Sequence, residues 1–310
     1  MTTQSRTPSE ARAGPVGWIG VGKMGAPMAG NLLKSGIDVV VSDTVTANGD
    51  AMKARGARIV EKLASFDDCQ TVFSTLPNDA ALLSVVLGDE PEGSGLADIL
   101  APGSILVEMS TVSPHCSSQI ADALAARDID YLRAPISGST ALAETASVTI
   151  LASGRQSAWD ATLPWLRVMS SRQFYLGGGD EARFMKLVLN TMVGATSSVL
   201  SEALVLGETG GLDRRTMMEV ICESAVVSPL IKYKVDAIET NDFAPAFSVA
   251  QMIKDFSLIT EAGQNNGVPM FNANLILQQY IAAANSGLEK SDFFALVQWL
   301  RDMSRPGAYK

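Results

Sequence analysis

Histidine is nearly absent from this 310-residue chain: His115 stands alone, which excludes any mechanism or metal site that needs a pair of them. Cysteine is scarce too. Cys69, Cys116 and Cys222 are far apart, odd in number and outside any C-x-x-C spacing, so neither a disulfide framework nor a zinc site is expected. Sparse thiols suit a reducing compartment, and the cytoplasm is the expected location. Basic residues are outnumbered, 24 Lys and Arg against 33 Asp and Glu, for a net charge of −9. An acidic surface repels phosphate backbones, so no nucleic-acid partner is expected. No run of about 20 residues is uninterruptedly apolar, and the longest uncharged helical stretch, 187–201, contains Asn190, Thr191 and several serines. No membrane span is therefore expected. Residues 1–14 lack the apolar stretch of a secretory signal and read as a loose tail.

What the chain does have is 47% apolar residues, enough to bury a full core. From Pro15 onward, short apolar runs alternate with amphipathic stretches: 16–19, 39–42, 71–75 and 104–108 read as strands, and 24–35 as a helix closed by Gly36. Near-continuous apolar strands spaced by helices indicate a parallel sheet covered on both faces. After Gly177 the strand signal disappears. Helical periodicity runs over 182–206, and further helices are expected at 214–224 behind an Asp213 cap, 250–265, 272–284 and 291–303. The expected fold is α/β: a Rossmann-type dinucleotide-binding domain over 15–177, and an all-helical C-terminal domain over 178–310 joined to it by a long helix.

Gly20-Val21-Gly22-Lys23-Met24-Gly25 fits G-x-G-x-x-G between a strand and a helix, the context that pattern requires. The first glycine permits the tight turn, the second lets backbone amides approach a pyrophosphate, and the third lets the helix pack close to the strand. The helix N-terminus then offers N–H groups and partial positive charge to phosphate. Asp43, about twenty residues on, can accept hydrogen bonds from the adenosine ribose and repel a 2′-phosphate. Thr44, Val45 and Thr46 follow it, with no arginine to hold that phosphate, so NAD is expected before NADP.

Oxidising an alcohol by hydride transfer also needs a group that takes the hydroxyl proton. Lys186 sits in the apolar helical segment Phe184-Met-Lys-Leu-Val-Leu-Asn190, with Asn190 one turn later on the same face. Desolvation there would disfavour the ammonium and suit acid–base exchange. By spacing alone, a snorkelling surface lysine beside an incidental asparagine remains the alternative.

These segments together resemble the β-hydroxyacid dehydrogenases, the family of 3-hydroxyisobutyrate dehydrogenase and tartronate semialdehyde reductase, over about Val16 to Leu300. The stretch from Gly20 to Gly36 is similar to that family's nucleotide loop and first helix. Thr75-Leu76-Pro77-Asn78 resembles its second cofactor loop, and Glu108-Met-Ser110-Thr111-Val-Ser-Pro114 its D-x-S-T-x-x-P segment near the nicotinamide. Gly178 to Asn190 resembles the catalytic G-x-x-x-K-x-x-x-N. Lys254-Asp255 resembles a K-D pair whose lysine approaches the cofactor.

The resemblance implies Lys186 as general acid/base with Asn190 fixing geometry. It implies cofactor contacts from Gly20, Val21, Gly22, Lys23, Met24, Gly25, Asp43, Thr44, Leu76, Pro77, Asn78, Thr111 and Lys254. Substrate contacts fall to Ser110, Thr111, Ser137, Gly138, Ser139, Lys186 and Asn190. The implied partner is a small carboxylate-bearing hydroxy acid or semialdehyde, and the implied assembly a homodimer or homotetramer.

Two departures stand out. Ala134-Pro-Ile-Ser-Gly-Ser139 resembles the family's D-A-P-V-S-G-G loop, but Arg133 replaces its aspartate and Ser139 its second glycine. Leu142-Ala-Glu-Thr-Ala146 stands where G-A-x-x-G is common. Arg133 reads either as a strand-end charge or as a contact for a second acidic group on a larger substrate. An NADPH-dependent imine reductase, which uses a similar scaffold but generally lacks the lysine, and a catalytically silent dinucleotide-binding scaffold are the rival readings. Trp18 should be core beside the glycine loop, and His115 a loop residue near the cofactor.

Overall fold

A computed structural model describes residues 14–89 and 94–304. The stretch read as a loose tail lies outside the described residues, Gly14 excepted. The chain packs as two compact units, one ending at Lys186 and the other beginning at Leu187.

The first unit alternates strands and helices: β1 (Val16–Ile19), α1 (Gly25–Lys34), β2 (Val39–Ser42), α2 (Thr46–Lys53), β3 (Arg58–Ile59), β4 (Thr71–Ser74), α3 (Asp79–Leu87), α4 (Leu96–Ile99), β5 (Ile105–Glu108), α5 (Pro114–Ala125), β6 (Asp130–Arg133), β7 (Ile136–Ser137), α6 (Thr140–Glu144), β8 (Val148–Gly154), α7 (Gln156–Met169) and β9 (Ser170–Tyr175). The sheet order is β3-β2-β1-β4-β5-β6, all parallel, which is the dinucleotide-binding order. β8 then pairs antiparallel with β6 and β7 and parallel with β9.

Period-two alternation sorts the strand residues onto two faces. Val39 and Val41 join Trp18, Phe73, α1 and α7 in one core, whereas Val40 joins Ile19, Val72 and Leu106 in the core under α3 to α5. Trp18 is fully buried, as expected, and stacks on Phe73 with ring centroids 5.1 Å apart. Register places Ile19 opposite both Ser42 and Ser74, so the residues that follow, Gly20, Asp43 and Thr75, leave the sheet at one edge. Strand order reverses between β1 and β4, and it is at such a reversal, beyond the strand C-termini, that open α/β sheets bind ligands.

The helix α8 (Glu181–Thr209) runs through the division between the units. The second unit continues with α9 (Arg214–Glu223), α10 (Pro229–Thr240), α11 (Val249–Asn265), α12 (Phe271–Ala283) and α13 (Leu296–Met303). Asp213 caps α9 by accepting from the Thr216 amide, as expected, and Ser248 with Gln251 forms a capping box on α11. Gly194 lets α11 approach α8: a Cβ there would lie 2.2 Å from the Phe256 ring. α10 was not anticipated, although Ser228 before Pro229 is a helix-start signal.

By length and composition alone, α8 could cross a membrane, contrary to expectation; 44% of its most apolar stretch is buried inside the fold. Weakly polar residues let it pass that test. Two of them are buried and bonded, Ser197 Oγ donating to the Phe293 carbonyl and Ser201 Oγ to the Ser197 carbonyl.

Candidate active site

The glycine loop begins where β1 ends. Gly20 has φ +83°, and a Cβ there would lie 2.3 Å from the Thr75 carbonyl oxygen. At Gly25 a Cβ would lie 2.1 Å from the Gly20 carbonyl, so the first turn of α1 packs directly on the loop. Gly22 differs: nothing lies within 4 Å of where its Cβ would be. Two glycines are thus demanded by the protein's own backbone, while the middle one faces open space of the kind a pyrophosphate requires. The Trp18 indole N–H supports the loop from below, donating to Thr75 Oγ1 at 3.0 Å and to the Gly20 carbonyl at 3.3 Å.

Asp43 closes the loop's other side. Its carboxylate accepts from the Val21 amide and from the Val45 amide, each at 2.7 Å, and from Asn48 Nδ2 at 3.3 Å. Thr44 and Lys23 are exposed beside it, and Met24 is half-buried. The segment expected to form a second cofactor loop leaves β4. Leu76 donates its amide to Ser110 Oγ at 2.7 Å, Pro77 is exposed, and Asn78 caps α3 by accepting from the Ala81 amide. A dinucleotide fits this frame, with free space at Gly22, a helix N-terminus at α1 and a carboxylate at the end of β2.

Lys186 stands at the last residue of the first unit. It is half-buried, and its Nζ donates to the Ile136 carbonyl at 2.7 Å. The lysine is therefore held at β7, against the loop of Ser137, Gly138 and Ser139. Gly138 has φ +148°, and a Cβ there would press on Val148 at 3.0 Å. Ser139 caps α6, its hydroxyl accepting from the Leu142 amide at 3.4 Å, so that oxygen serves the helix start in this structure.

Arg133 is the last residue of β6, a charge at the strand end as one reading had it. It is buried rather than solvated, and its guanidinium already has a partner: Nε donates to Asp180 at 2.7 Å and to Ser117 Oγ at 3.3 Å, over the Tyr131 ring. His115 is exposed and helical, the second residue of α5, rather than part of a loop. Pro114 at the first helical position, behind the Ser113 cap, explains this.

Sequence reasoning passed over a second buried arginine. Arg183, in the first turn of α8, is 1% exposed. It donates to Glu108, to Tyr131 Oη at 2.9 Å and to the Ser110 carbonyl at 2.7 Å. Glu108 is fully buried and accepts from the Ser110 amide at 2.7 Å. Burial alone would lower the Arg183 pKa; the Glu108 carboxylate and Tyr131 outweigh it and hold the guanidinium above its ordinary range. Burial pushes the Tyr131 phenol up. The one available signal was the acidic residue ending an otherwise apolar strand.

In the second unit, Asn190 is buried and donates to Asp255, which is 1% exposed and also pairs with Lys254 at 2.8 Å. Asn190, Asp255 and Lys254 thus form one hydrogen-bonded group, with Asn190 one helical turn beyond Lys186 along α8. Among the described residues no cluster of His, Cys, Asp and Glu suited to a metal ion occurs.

Residues 15–177 match the model of the NAD-binding domain of 6-phosphogluconate dehydrogenase. Residues 181–300 match the NAD-binding domain of NADP-dependent 3-hydroxyisobutyrate dehydrogenase. The chain belongs to the β-hydroxyacid dehydrogenase family. It is an NAD(P)-binding oxidoreductase with a Rossmann-like N-terminal domain and a helical C-terminal domain. Among other family members, it is 33% identical over 293 residues to 2-(hydroxymethyl)glutarate dehydrogenase of Eubacterium barkeri, covering 93% of this chain and 95% of that one. Glyoxylate/succinic semialdehyde reductase 1 of Arabidopsis thaliana is 30% identical, over 91% and 97% of the two chains. The crystal structure of 3-hydroxyisobutyrate dehydrogenase from Salmonella typhimurium shares the dehydrogenase fold with a TM-score of 0.83, at 24% identity over 93% of this chain and all of that one.

Proposed function

We propose that this family member is an NAD-dependent dehydrogenase of a small β-hydroxy acid, with Lys186 as the group that takes up and returns the hydroxyl proton. The observation that carries the reading is the bond from Lys186 Nζ to the Ile136 carbonyl, which holds the amine beside the loop of Ser137 to Ser139. The substrate carboxylate docks on the amides of Ser137 and Gly138, with Ser110 and Thr111 as further polar contacts. Its hydroxyl is then within reach of the lysine, and such positioning supplies much of the rate. Asn190 fixes the geometry one turn along the helix. The bound nicotinamide supplies the hydride acceptor, and Gly20, Val21, Gly22, Lys23, Met24, Gly25, Asp43, Thr44, Leu76, Pro77, Asn78 and Thr111 hold the cofactor.

NAD is favoured over NADP by the surroundings of β2. Asp43 occupies its end, and the nearest arginines are committed elsewhere: Arg55 donates to the Ala26 carbonyl and Arg58 pairs with Asp68. The names of the relatives support the substrate class. 2-(Hydroxymethyl)glutarate, glyoxylate, succinic semialdehyde and 3-hydroxyisobutyrate all join an alcohol or aldehyde to a carboxylate. Exposed Val188, Met192, Val199 and Leu206 along α8 suit a homodimer or homotetramer.

The test is a panel of β-hydroxy acids and semialdehydes run with NAD and with NADP, on the wild type and on Lys186→Ala. The variant should lose roughly 10²–10⁴-fold in kcat while binding NADH as before. Near-normal turnover by that variant, or turnover only with imines and NADPH, would overturn the proposal.

A further inference from the structure

We propose that Arg183 is a positioning residue for hydride transfer, setting the Ser110–Thr111 segment in register with Lys186. The inference rests on the reading of Lys186 as the proton-transfer group.

Arg183 and Lys186 are three residues apart on one helix, so whatever fixes the first turn of α8 fixes the base of the lysine. That turn is tied down by ion pairs, Arg183 with Glu108 and the preceding Asp180 with Arg133. The planar guanidinium reaches the Ser110 carbonyl through Nη1, and Glu108 and Tyr131 through Nη2. Glu108 returns to the same residue, its other oxygen accepting from the Ser110 amide. Both backbone polar groups of Ser110 are therefore set by a single buried ion pair, and its side-chain oxygen accepts from Leu76 in the second cofactor loop.

A second tie runs parallel. Ser117 Oγ donates to Asp180, just before α8, and accepts from Arg133 and weakly from Arg183. The start of the lysine helix is bound in this way to β5, β6 and α5. A bidentate fork delivers angular precision that an ammonium lacks, so lysine at 183 would keep the charge and lose the alignment.

The test compares Arg183→Lys with the doubly neutral variant carrying Glu108→Gln and Arg183→Gln, which leaves no unpaired buried charge. In both, kcat for the hydroxy acid should fall about 10²-fold, with KM and the NADH dissociation constant changed less than about threefold. Amide exchange at Met109 to Thr111 should quicken while β1 and β4 stay protected. Tyr131→Phe, a milder change, should lower kcat several-fold with the melting temperature kept. A purely structural role predicts a lower melting temperature with unchanged kcat, and that result overturns the proposal. So does slow exchange at Ser110 in both variants. If Lys186→Ala is inactive while the Arg183 variants are normal, only this proposal falls; if Lys186→Ala is active, the functional reading falls and the exchange data still report on Ser110.

Discussion

Ala146 adopts φ +52°, a left-handed conformation that costs an alanine about 1–2 kcal/mol. The reason lies in the end of α6. The Ser147 amide donates to the Leu142 carbonyl and the Ala146 amide to the Ala143 carbonyl, the paired bonds of a Schellman closure that favours glycine at this residue. The family's second glycine in G-A-x-x-G falls on this position, so its absence is a local strain rather than a changed turn. Ala146→Gly should therefore stabilise the protein, by about 0.5–1 kcal/mol once the extra freedom of an unfolded glycine is deducted. Thermal melts read this directly; a lower melting temperature would contradict the account. Arg133 teaches the opposite lesson. Its replacement of an aspartate was visible, but its partner Asp180 is 47 residues away, and sequence alone does not pair them.

At the scale of elements, the glycine loop separates two kinds of glycine. Gly22→Ala meets nothing, so the variant should melt like the wild type yet bind NADH at least tenfold more weakly, because the methyl group intrudes on the open space that the proposed reading gives to phosphate. Gly25→Ala drives its Cβ into the Gly20 carbonyl and Thr75 Oγ1, at 2.1 and 2.3 Å, and should cost about 1–3 kcal/mol of stability as well. Equal melting temperatures for the two variants would show that the loop has slack it is not expected to have. The loop, the strands around it and most helices of the second unit were legible because each has its own local signature: period two, period 3.6, or a cap. β3 and β7, two residues each, and β9, with four exposed or half-exposed polar residues, were not, since their pairing partners define them. Arg183, at the head of α8, was passed over for the same reason. A charged residue on a helix reads as solvent-facing, and only the fold brings Glu108 to Arg183.

For the molecule as a whole, alkaline pH is where stability should fail. Burial, then Asp68, pushes the Cys69 thiol from 9.0 to about 12, and burial, then Asp79, does the same at Cys116. Tyr131 is raised as well, by burial first. These groups hold protons in the folded state that the unfolded chain releases near pH 9 for the thiols and near pH 10 for the phenol. Their contribution is complete below pH 9 and is lost as pH rises toward 12. Urea midpoints should fall over this range, and the decline should be shallower with Cys69 and Cys116 both changed to Ala; parallel curves would rule the thiols out. The division between units was less legible than the fold within each. Helical character starts at Glu181, but α8 passes from one unit to the other only after Lys186, with no break in its periodicity to mark the change.

The ionic group at the head of α8 holds two acids and two bases, Glu108 and Asp180 with Arg133 and Arg183, and so sums to zero. Stranding one buried charge costs about 3–5 kcal/mol, a large part of a typical protein's whole stability. Evolution therefore meets these four positions as a coupled set. Drift at one is affordable only with a compensating change at its mate, so across descendants of this sequence the pairs should switch sign together or stay as they are.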